Sequence, residues 1–401
     1  MQTALVAGPV TVAVWQRDGI VRSQTSLKMA SSRGLADRTI LKAFLGKGSA
    51  PTMVSSRPDR GMTMTPCASA VVTASSAGNT AAPSSTNAAK VSFYVFGWYA
   101  FNIMFNILNK SMLNIFPCPW FLSAFQLGAS ALFMCSLWAT GLHPAPQVSG
   151  KLIKALFPVA FFHTVGHVSA CVSFSQMAVS FAHVVKSAEP VLSVILAQVI
   201  LKETYPYYVW LSLLPIIAGC SLAAMKEVSF VWGGFNNAML SNVGMVLRNI
   251  YSKKYLGEYK NIDGTNMFAL LSIISLVYTV PAAIYMEGIR GGTYQWGTMV
   301  AAAMDNVGGA APFFRLLAAT GLFYHLYNQV SYMVLDQGIS PVTFSVGNTM
   351  KRVAVVVSSV IFFKNPVSAM NWIGSMIALL GTGLYSAAKQ KAGNEAAAKK
   401  H

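Results

Sequence analysis

The feature that most constrains this chain is a series of apolar stretches, each about twenty residues long, between residues 91 and 388. Each stretch is long enough to cross a hydrocarbon core about 30 Å thick as an α-helix. The composition agrees, because 54% of the 401 residues are hydrophobic and only 10% are charged, with a mean hydropathy of +0.51. Soluble domains carry about 25% charged residues. We therefore predict an all-α membrane protein.

Hydropathy and helix-breaking residues divide the apolar region into about ten transmembrane helices. They are predicted at 91–110, 118–140, 153–175, 178–201, 206–224, 231–252, 265–287, 312–335, 341–363 and 367–388. Ten crossings place both termini on one side of the membrane. Most of the loop lysines fall on that side, so the positive-inside rule favours an interior location for the termini.

Residues 1–88 differ in composition from everything that follows. They are rich in Ser, Thr and Ala, and six arginines are scattered among three aspartates. A secretory signal would instead have a short basic start and one continuous apolar core. The segment is therefore predicted to be a disordered chloroplast transit peptide; the alternatives are a mitochondrial one, which composition does not separate, and a disordered cytosolic tail.

The remainder is predicted to form a transmembrane transporter domain at 89–390, with halves at 89–225 and 231–390, and a basic tail at 391–401. The halves resemble each other in one place. A polar, aromatic helix is followed by a short link and a helix with a basic residue near its middle. Many secondary transporters are built from such internal repeats.

Three cations are predicted at mid-depth in the membrane: Lys186, Lys351 and Arg352. A charge there costs roughly 2.5–3.5 kcal/mol on insertion scales, so such residues normally face a cavity or a partner. Brought together by the repeat, they would form a cationic pocket suited to a phosphate dianion. The alternative for Lys186 is a structural ion pair with Glu189, three residues later on the same helix face.

His167 and Tyr327 occupy comparable places on the polar helix of each half. Neutral donors and acceptors in a membrane cavity can select the hydroxyls or the carboxylate of a substrate. We predict that these two residues bind the end of the substrate remote from phosphate. The alternative for each is a hydrogen bond between helices.

Other classes of function are disfavoured by the motifs. The sequence has no zinc-protease motif, no phosphate-binding loop and no nucleophile elbow, and its five cysteines lack metal-type spacing. Its net charge of +17 is not gathered on one basic face with aromatics. We predict no catalytic residue, metal, cofactor, ATP or nucleic-acid partner, so transport would depend on exchange or an ion gradient.

Several blocks resemble the plastidic phosphate translocators, sugar phosphate/phosphate antiporters of the drug/metabolite transporter superfamily. The blocks lie at 163–174, 178–190, 247–254, 323–329 and 344–352. The resemblance covers about residues 90–388. It implies two inverted five-helix repeats, a multi-pass location in the plastid inner envelope, and strict antiport of inorganic phosphate against phosphorylated three-, five- or six-carbon compounds. Candidate counter-substrates are triose phosphate, 3-phosphoglycerate, xylulose 5-phosphate and glucose 6-phosphate.

The family's phosphate-binding lysine and Lys-Arg pair correspond to Lys186, Lys351 and Arg352, and its substrate-binding His and Tyr correspond to His167 and Tyr327. The 186–190 and 344–348 segments are more similar to the pentose-phosphate and glucose-6-phosphate branches than to the triose-phosphate branch. Two alternatives stay open: an endomembrane nucleotide-sugar transporter of the same superfamily, and a passive anion channel.

Overall fold

The computed structural model describes residues 85–225, 227–256, 259, 262–289, 295–336, 341–365 and 367–398. These residues form α-helices and one π-helical segment, and no strand occurs among them. The all-α prediction is therefore confirmed for the described part. The predicted transit peptide at 1–88 lies outside it, except that residues 85–88 begin the first helix.

The first half contains seven helices, and each of its five predicted spans overlaps at least one of them. They are α1 (Ser85–Ile115), α2 (Pro119–Ala139), α3 (Gly150–Gln176), α4 (Val179–Lys186), α5 (Glu189–Leu201), α6 (Tyr207–Leu211) and α7 (Leu214–Met225). The spans predicted at 178–201 and 206–224 are each found as one candidate span, but each is interrupted once, so neither is a single continuous helix.

The second half contains six helices and the π-helical segment. They are α8 (Trp232–Tyr255), α9 (Gly264–Ala283), the π-helical segment (Ile284–Ile289), α10 (Gln295–Val307), α11 (Ala310–Asp336), α12 (Pro341–Phe363) and α13 (Ala369–Ala398). The short helix α10 was not predicted. Gly308 and Gly309 separate it from α11 with φ angles of 84° and 123°, which glycine adopts readily, and the two helices meet at 105°.

Six spans in the described residues are long and apolar enough to cross a membrane, or seven if the bent pair α10–α11 counts as one. The pairs α4–α5 and α6–α7 each count as one span. Helices α8, α12 and α13 overlap the other predicted spans but mix polar and charged residues with apolar ones. The count of ten crossings stays a prediction.

Helix α13 continues through the segment predicted as a basic tail and ends at Ala398. Alanine is the strongest helix former, and Lys391 lies 4.0 Å from Glu395, one turn further along the helix. Lysine and alanine in this segment therefore extend the helix.

The halves pack through helix pairs that join distant parts of the chain. The most extensive contacts are between α3 and α8, α7 and α13, α1 and α11, and α2 and α9. The α3–α8 contact depends on small residues, because a Cβ atom at Gly244 would lie 2.6 Å from the backbone nitrogen of Gly166. Helix α12 packs against both α1 and α4.

Helices α2 and α9 are tied at both ends. At one end the Glu287 carboxylate, in the π-helical segment, accepts hydrogen bonds from the backbone N–H groups of Trp120 (2.9 Å) and Phe121 (2.8 Å) in the first turn of α2. A carboxylate there satisfies unpaired N–H groups and the positive end of the helix dipole. At the other end, His143 lies 3.2 Å from Asp263, the N-cap of α9.

Candidate functional site

The site is centred on the break between α4 and α5. Helix α4 ends at Lys186 and α5 begins at Glu189, with Pro190 in its first turn. In a continuous helix the N–H of residue 190 would donate to the carbonyl oxygen of residue 186, but proline has no N–H. The carbonyl of Lys186 is therefore left to accept a bond from another element.

That bond comes from Arg352 on α12, in the opposite half of the chain. One terminal nitrogen of its guanidinium donates to the Lys186 carbonyl oxygen, and the other donates to Oε2 of Glu189 at 2.6 Å. The side chains of Arg352 and Glu189 are only 13% and 23% exposed. Arginine thus joins both ends of the helix break.

This contact changes the interpretation of Glu189. The alternative in which Glu189 forms an ion pair with Lys186 is wrong, because the ion pair of the Glu189 carboxylate is with Arg352. Lys186 is still an electrostatic neighbour of Glu189. No acid lies within one helical turn of Arg352 in the sequence, but the packing of α12 on α4 brings this one to it.

The ammonium group of Lys186 points to α8. Its Nζ donates to Oγ of Ser241 at 2.5 Å, and the hydroxyl of Ser241 donates in turn to the Gly166 carbonyl at 2.7 Å. Ser241 is fully buried. The serine therefore fixes the lysine against the α3–α8 contact, a role that no sequence motif indicated.

Lys351, the third cation, contacts an aromatic residue. Its Nζ lies 4.7 Å from the centre of the Trp98 ring, and that ring stacks on Phe344 at 4.9 Å. Lys351 also interacts electrostatically with Arg352, Glu189 and Lys186. The structure thus brings the three predicted cations into one cluster, lined on one side by tryptophan.

The two residues predicted to bind the rest of the substrate lie around Tyr324. The His167 ring is 4.7 Å from the Tyr324 ring, and the Tyr327 ring is 5.8 Å from it. His167 interacts electrostatically with Lys186, and its Nε2 is buried with no hydrogen-bond partner among the described residues. An unpaired buried donor or acceptor of this kind is suited to a ligand.

Arg248 on α8 is a further cation, which was not among the three cations predicted from the sequence. Its guanidinium donates to Nδ1 of His163 at 3.3 Å, and Nε2 of that histidine lies 3.5 Å from the Tyr324 hydroxyl. Because a guanidinium only donates, the ring proton of neutral His163 must be on Nε2. The available signal was a basic residue inside the span predicted at 231–252.

Two further polar side chains in the predicted spans are paired with protein groups. Asn106 accepts a hydrogen bond from His183 at 2.8 Å, which joins α1 to α4. Lys110 donates to the carbonyls of Phe174 (2.7 Å) and Met177 (3.2 Å), which lie at the C-terminus of α3. Within the described residues, no three His, Cys, Asp or Glu side chains are grouped as for a metal.

Comparison with known proteins identifies the class. The Triose-phosphate Transporter family matches residues 89–386, and the chain belongs to that family. The match spans both halves and includes every candidate site residue.

Individual relatives give a finer comparison. The chain is 55% identical to the xylulose 5-phosphate/phosphate translocator of Arabidopsis thaliana over 298 residues, which cover 74% of this chain and 70% of the relative. It is 49% identical to glucose-6-phosphate/phosphate translocator 1 of the same plant, over 75% of each chain. Identity to the triose phosphate/phosphate translocator of Zea mays is 39%, over 85% of this chain and 81% of the relative. This order agrees with the resemblance to the pentose-phosphate and glucose-6-phosphate branches.

Proposed function

We propose that this protein is an antiporter that exchanges inorganic phosphate for phosphorylated three-, five- or six-carbon compounds across the plastid inner envelope. The observation that carries the proposal is the cluster of Lys186, Lys351 and Arg352 at the helix break inside the apolar span Val179–Leu201. Buried cations at mid-membrane depth mark anion pathways. The relatives are named as chloroplastic sugar phosphate/phosphate translocators, which supports the same class of substrates and a chloroplast location.

Within this proposal, Lys186, Lys351 and Arg352 bind the phosphoryl group, while His167 and Tyr327 bind the sugar or carboxylate end. Two lysines supply compact charges, and arginine supplies a planar fork for phosphate oxygens. The unpaired Nε2 of His167 supports a role in ligand binding. Residues 1–88 would serve as the transit peptide.

The proposed architecture has ten transmembrane helices in two inverted repeats. Ten spans result when α4–α5 and α6–α7 each count once and α10 is left out. If each span is replaced by its counterpart five places away in the order of spans, the α3–α8 contact becomes the α11–α1 contact. The same replacement leaves the α2–α9 and α7–α13 contacts unchanged. Five crossings per half would give the halves opposite orientations, as in many transporters.

The proposed mechanism is alternating access around this one pocket. A bound phosphate neutralises the cations that α4 and α12 present, so the halves approach each other and the carrier reorients. In an empty pocket the like charges oppose that approach. Exchange is obligate because only the loaded carrier reorients, and a ligand biases only states that it contacts differently.

The test is uptake of labelled phosphate into liposomes that contain the purified protein. The vesicles are preloaded with nothing, phosphate, triose phosphate, 3-phosphoglycerate, xylulose 5-phosphate or glucose 6-phosphate. We expect uptake only with an internal counter-substrate, and the initial rates rank the substrates. Equal uptake into empty vesicles would show a channel, and no uptake under any loading would overturn phosphate transport.

A further inference from the structure

The ion pair between Glu189 and Arg352 places a carboxylate inside a site that otherwise collects positive charge. The two residues are 163 positions apart, and their 2.6 Å contact lies beside Lys186. Burying an ion pair has a desolvation cost that the attraction between the charges does not always offset. A purely structural ion pair is therefore a weak explanation for this carboxylate.

Glu189 is one of two groups that hold Arg352 on the helix break. The Lys186 carbonyl, which Pro190 leaves without its helical partner, already accepts one hydrogen bond from the guanidinium. The carboxylate adds a second bond and, unlike the carbonyl, a full negative charge. Its distinctive contribution is to the charge of the pocket.

The formal charges of the phosphate end can be counted. Lys186, Lys351 and Arg352 carry three positive charges, and Glu189 reduces the net to two. A phosphate monoester carries up to two negative charges above its second pKa of about 6, so the loaded phosphate end is neutral. Without Glu189 the loaded site would keep one uncompensated charge among buried groups, which is costly in low dielectric. Arg248 contributes its charge at the other end, beside His163.

We propose that Glu189 is a positioning and charge-setting residue, which holds Arg352 on the helix break and matches the phosphate end of the pocket to a dianion. This inference rests on the proposed function, since it concerns the anion that the same pocket transports. Glu189 acts through Arg352 and through the net charge, and does not itself bind the phosphate. The site therefore selects substrates by total charge as well as by shape.

The discriminating variant is Glu189→Gln, because a glutamine oxygen still accepts a bond from Arg352 but carries no charge. The assay compares exchange of phosphate against dihydroxyacetone phosphate, a dianion, and 3-phosphoglycerate, which adds a carboxylate. Both are measured at pH 8, where the phosphoryl groups are dianions. The readout is the ratio of the two kcat/KM values.

We expect the ratio of kcat/KM for the trianion to kcat/KM for the dianion to rise about tenfold in Glu189→Gln, because one negative charge a few ångströms from the ligand is removed. Glu189→Asp retains the charge and should retain the wild-type ratio. Glu287→Gln is the matched control, since it neutralises a buried carboxylate that caps α2 instead. Its ratio should also equal that of the wild type.

An unchanged kcat/KM ratio in Glu189→Gln would overturn the inference about Glu189. Exchange by the wild type would in that case still support the proposed function. Loss of exchange in the wild type itself would overturn the proposed function. Where Glu189→Gln inserts but does not exchange, ligand-induced shifts of its thermal unfolding temperature in detergent give the same comparison. Equal relative shifts for the two ligands in variant and wild type would again contradict charge selection.

Discussion

The ammonium of Lys351 lies 4.7 Å from the centre of the Trp98 ring, which is 2% exposed and also stacks on Phe344. A cation over an indole face gains about 0.5–2 kcal/mol, which corresponds to a factor of roughly 2–30 in binding. Trp98→Leu should therefore raise the KM for phosphate within that range, and Trp98→Phe should raise it less.

The measurement is the KM of phosphate exchange in liposomes, with thermal unfolding used to confirm that each variant is folded. Trp210→Leu is the control, because Trp210 is 37% exposed on α6. A wild-type KM in Trp98→Leu would show that the ring does not position Lys351.

Neutral replacement of either cation of the pair, Lys351→Gln or Arg352→Gln, should abolish exchange. Each change removes a charge that neutralises phosphate in a buried site, where charged hydrogen bonds are strongest. Exchange is measured after quantifying protein inserted in the vesicles. Lys364→Gln, at an exposed residue directly after the same helix, should keep normal exchange. Exchange retained by both pocket variants would exclude them from the phosphate site.

Ser241→Ala should weaken phosphate exchange without abolishing it. The change removes the hydroxyl that accepts from Lys186 at 2.5 Å and donates to the Gly166 carbonyl. Loss of one hydrogen bond to a charged group is about 1.5–3 kcal/mol, and the cavity can be refilled by water. We expect KM to rise by a factor of about ten, with Ser136→Ala as an exposed control. A KM equal to that of the wild type would show that Lys186 does not depend on Ser241.

Gly244→Ala should destabilise the protein, whereas Gly383→Ala should not. A Cβ at Gly244 would lie 2.6 Å from the Gly166 nitrogen and 3.0 Å from the Phe162 oxygen, both backbone atoms that cannot rotate away. Overpacking of this kind costs about 1–3 kcal/mol. Gly383 has open space around the corresponding position. Equal unfolding temperatures of the two variants in detergent would contradict a tight α3–α8 contact.

The ion pair between Glu203 and Lys253, which lies outside the predicted membrane spans, should make the stability of the protein depend on pH. Burial raises the pKa of the Glu203 carboxyl, but hydrogen bonds from Lys253 and from Tyr205 (2.5 Å) bring that pKa below its ordinary value. When folding lowers the pKa of a carboxyl group, the ionised carboxylate stabilises the folded state. This stabilisation is complete above the unfolded pKa of about 4.3 and is lost as pH falls through the folded pKa.

Glu203→Gln should therefore lower the unfolding temperature at pH 7 and have no effect once the wild-type carboxyl is protonated at low pH. The pair is partly exposed, with 31% of the Glu203 side chain accessible, so its contribution is at most about 1 kcal/mol. That corresponds to about 2–4 °C. A difference that persisted unchanged at pH 3 would assign the effect to packing instead of charge.

Sequence alone predicted the helices well where a long apolar stretch decides the structure, and it selected the three cations because charge in lipid is rare. It failed where the outcome depends on how helices pack. Glu189 reaches Arg352 only because α12 lies on α4, and Lys186 reaches Ser241 only because α4 contacts α8. Periodicity along one helix contains no information about a partner 163 residues away.

The short elements were missed for a different reason. Helix α10 has 13 residues, which is too short to cross a membrane and gives no hydropathy signal. Pro190 explains the break before α5, because proline has no N–H to continue the helix, and this proline is visible in the sequence. The sequence does not show that Arg352 binds the carbonyl that the proline leaves free.

The double attachment of α2 to α9 limits how the halves can move. Glu287 fixes one end of the pair, and Asp263 with His143 fixes the other, so neither helix can translate along its neighbour without breaking an end contact. The pair therefore retains rotation as a unit but loses its sliding degree of freedom. Any opening of the site to one side of the membrane must come from helices that leave the α2–α9 pair in place, or must break the contact at one of its two ends.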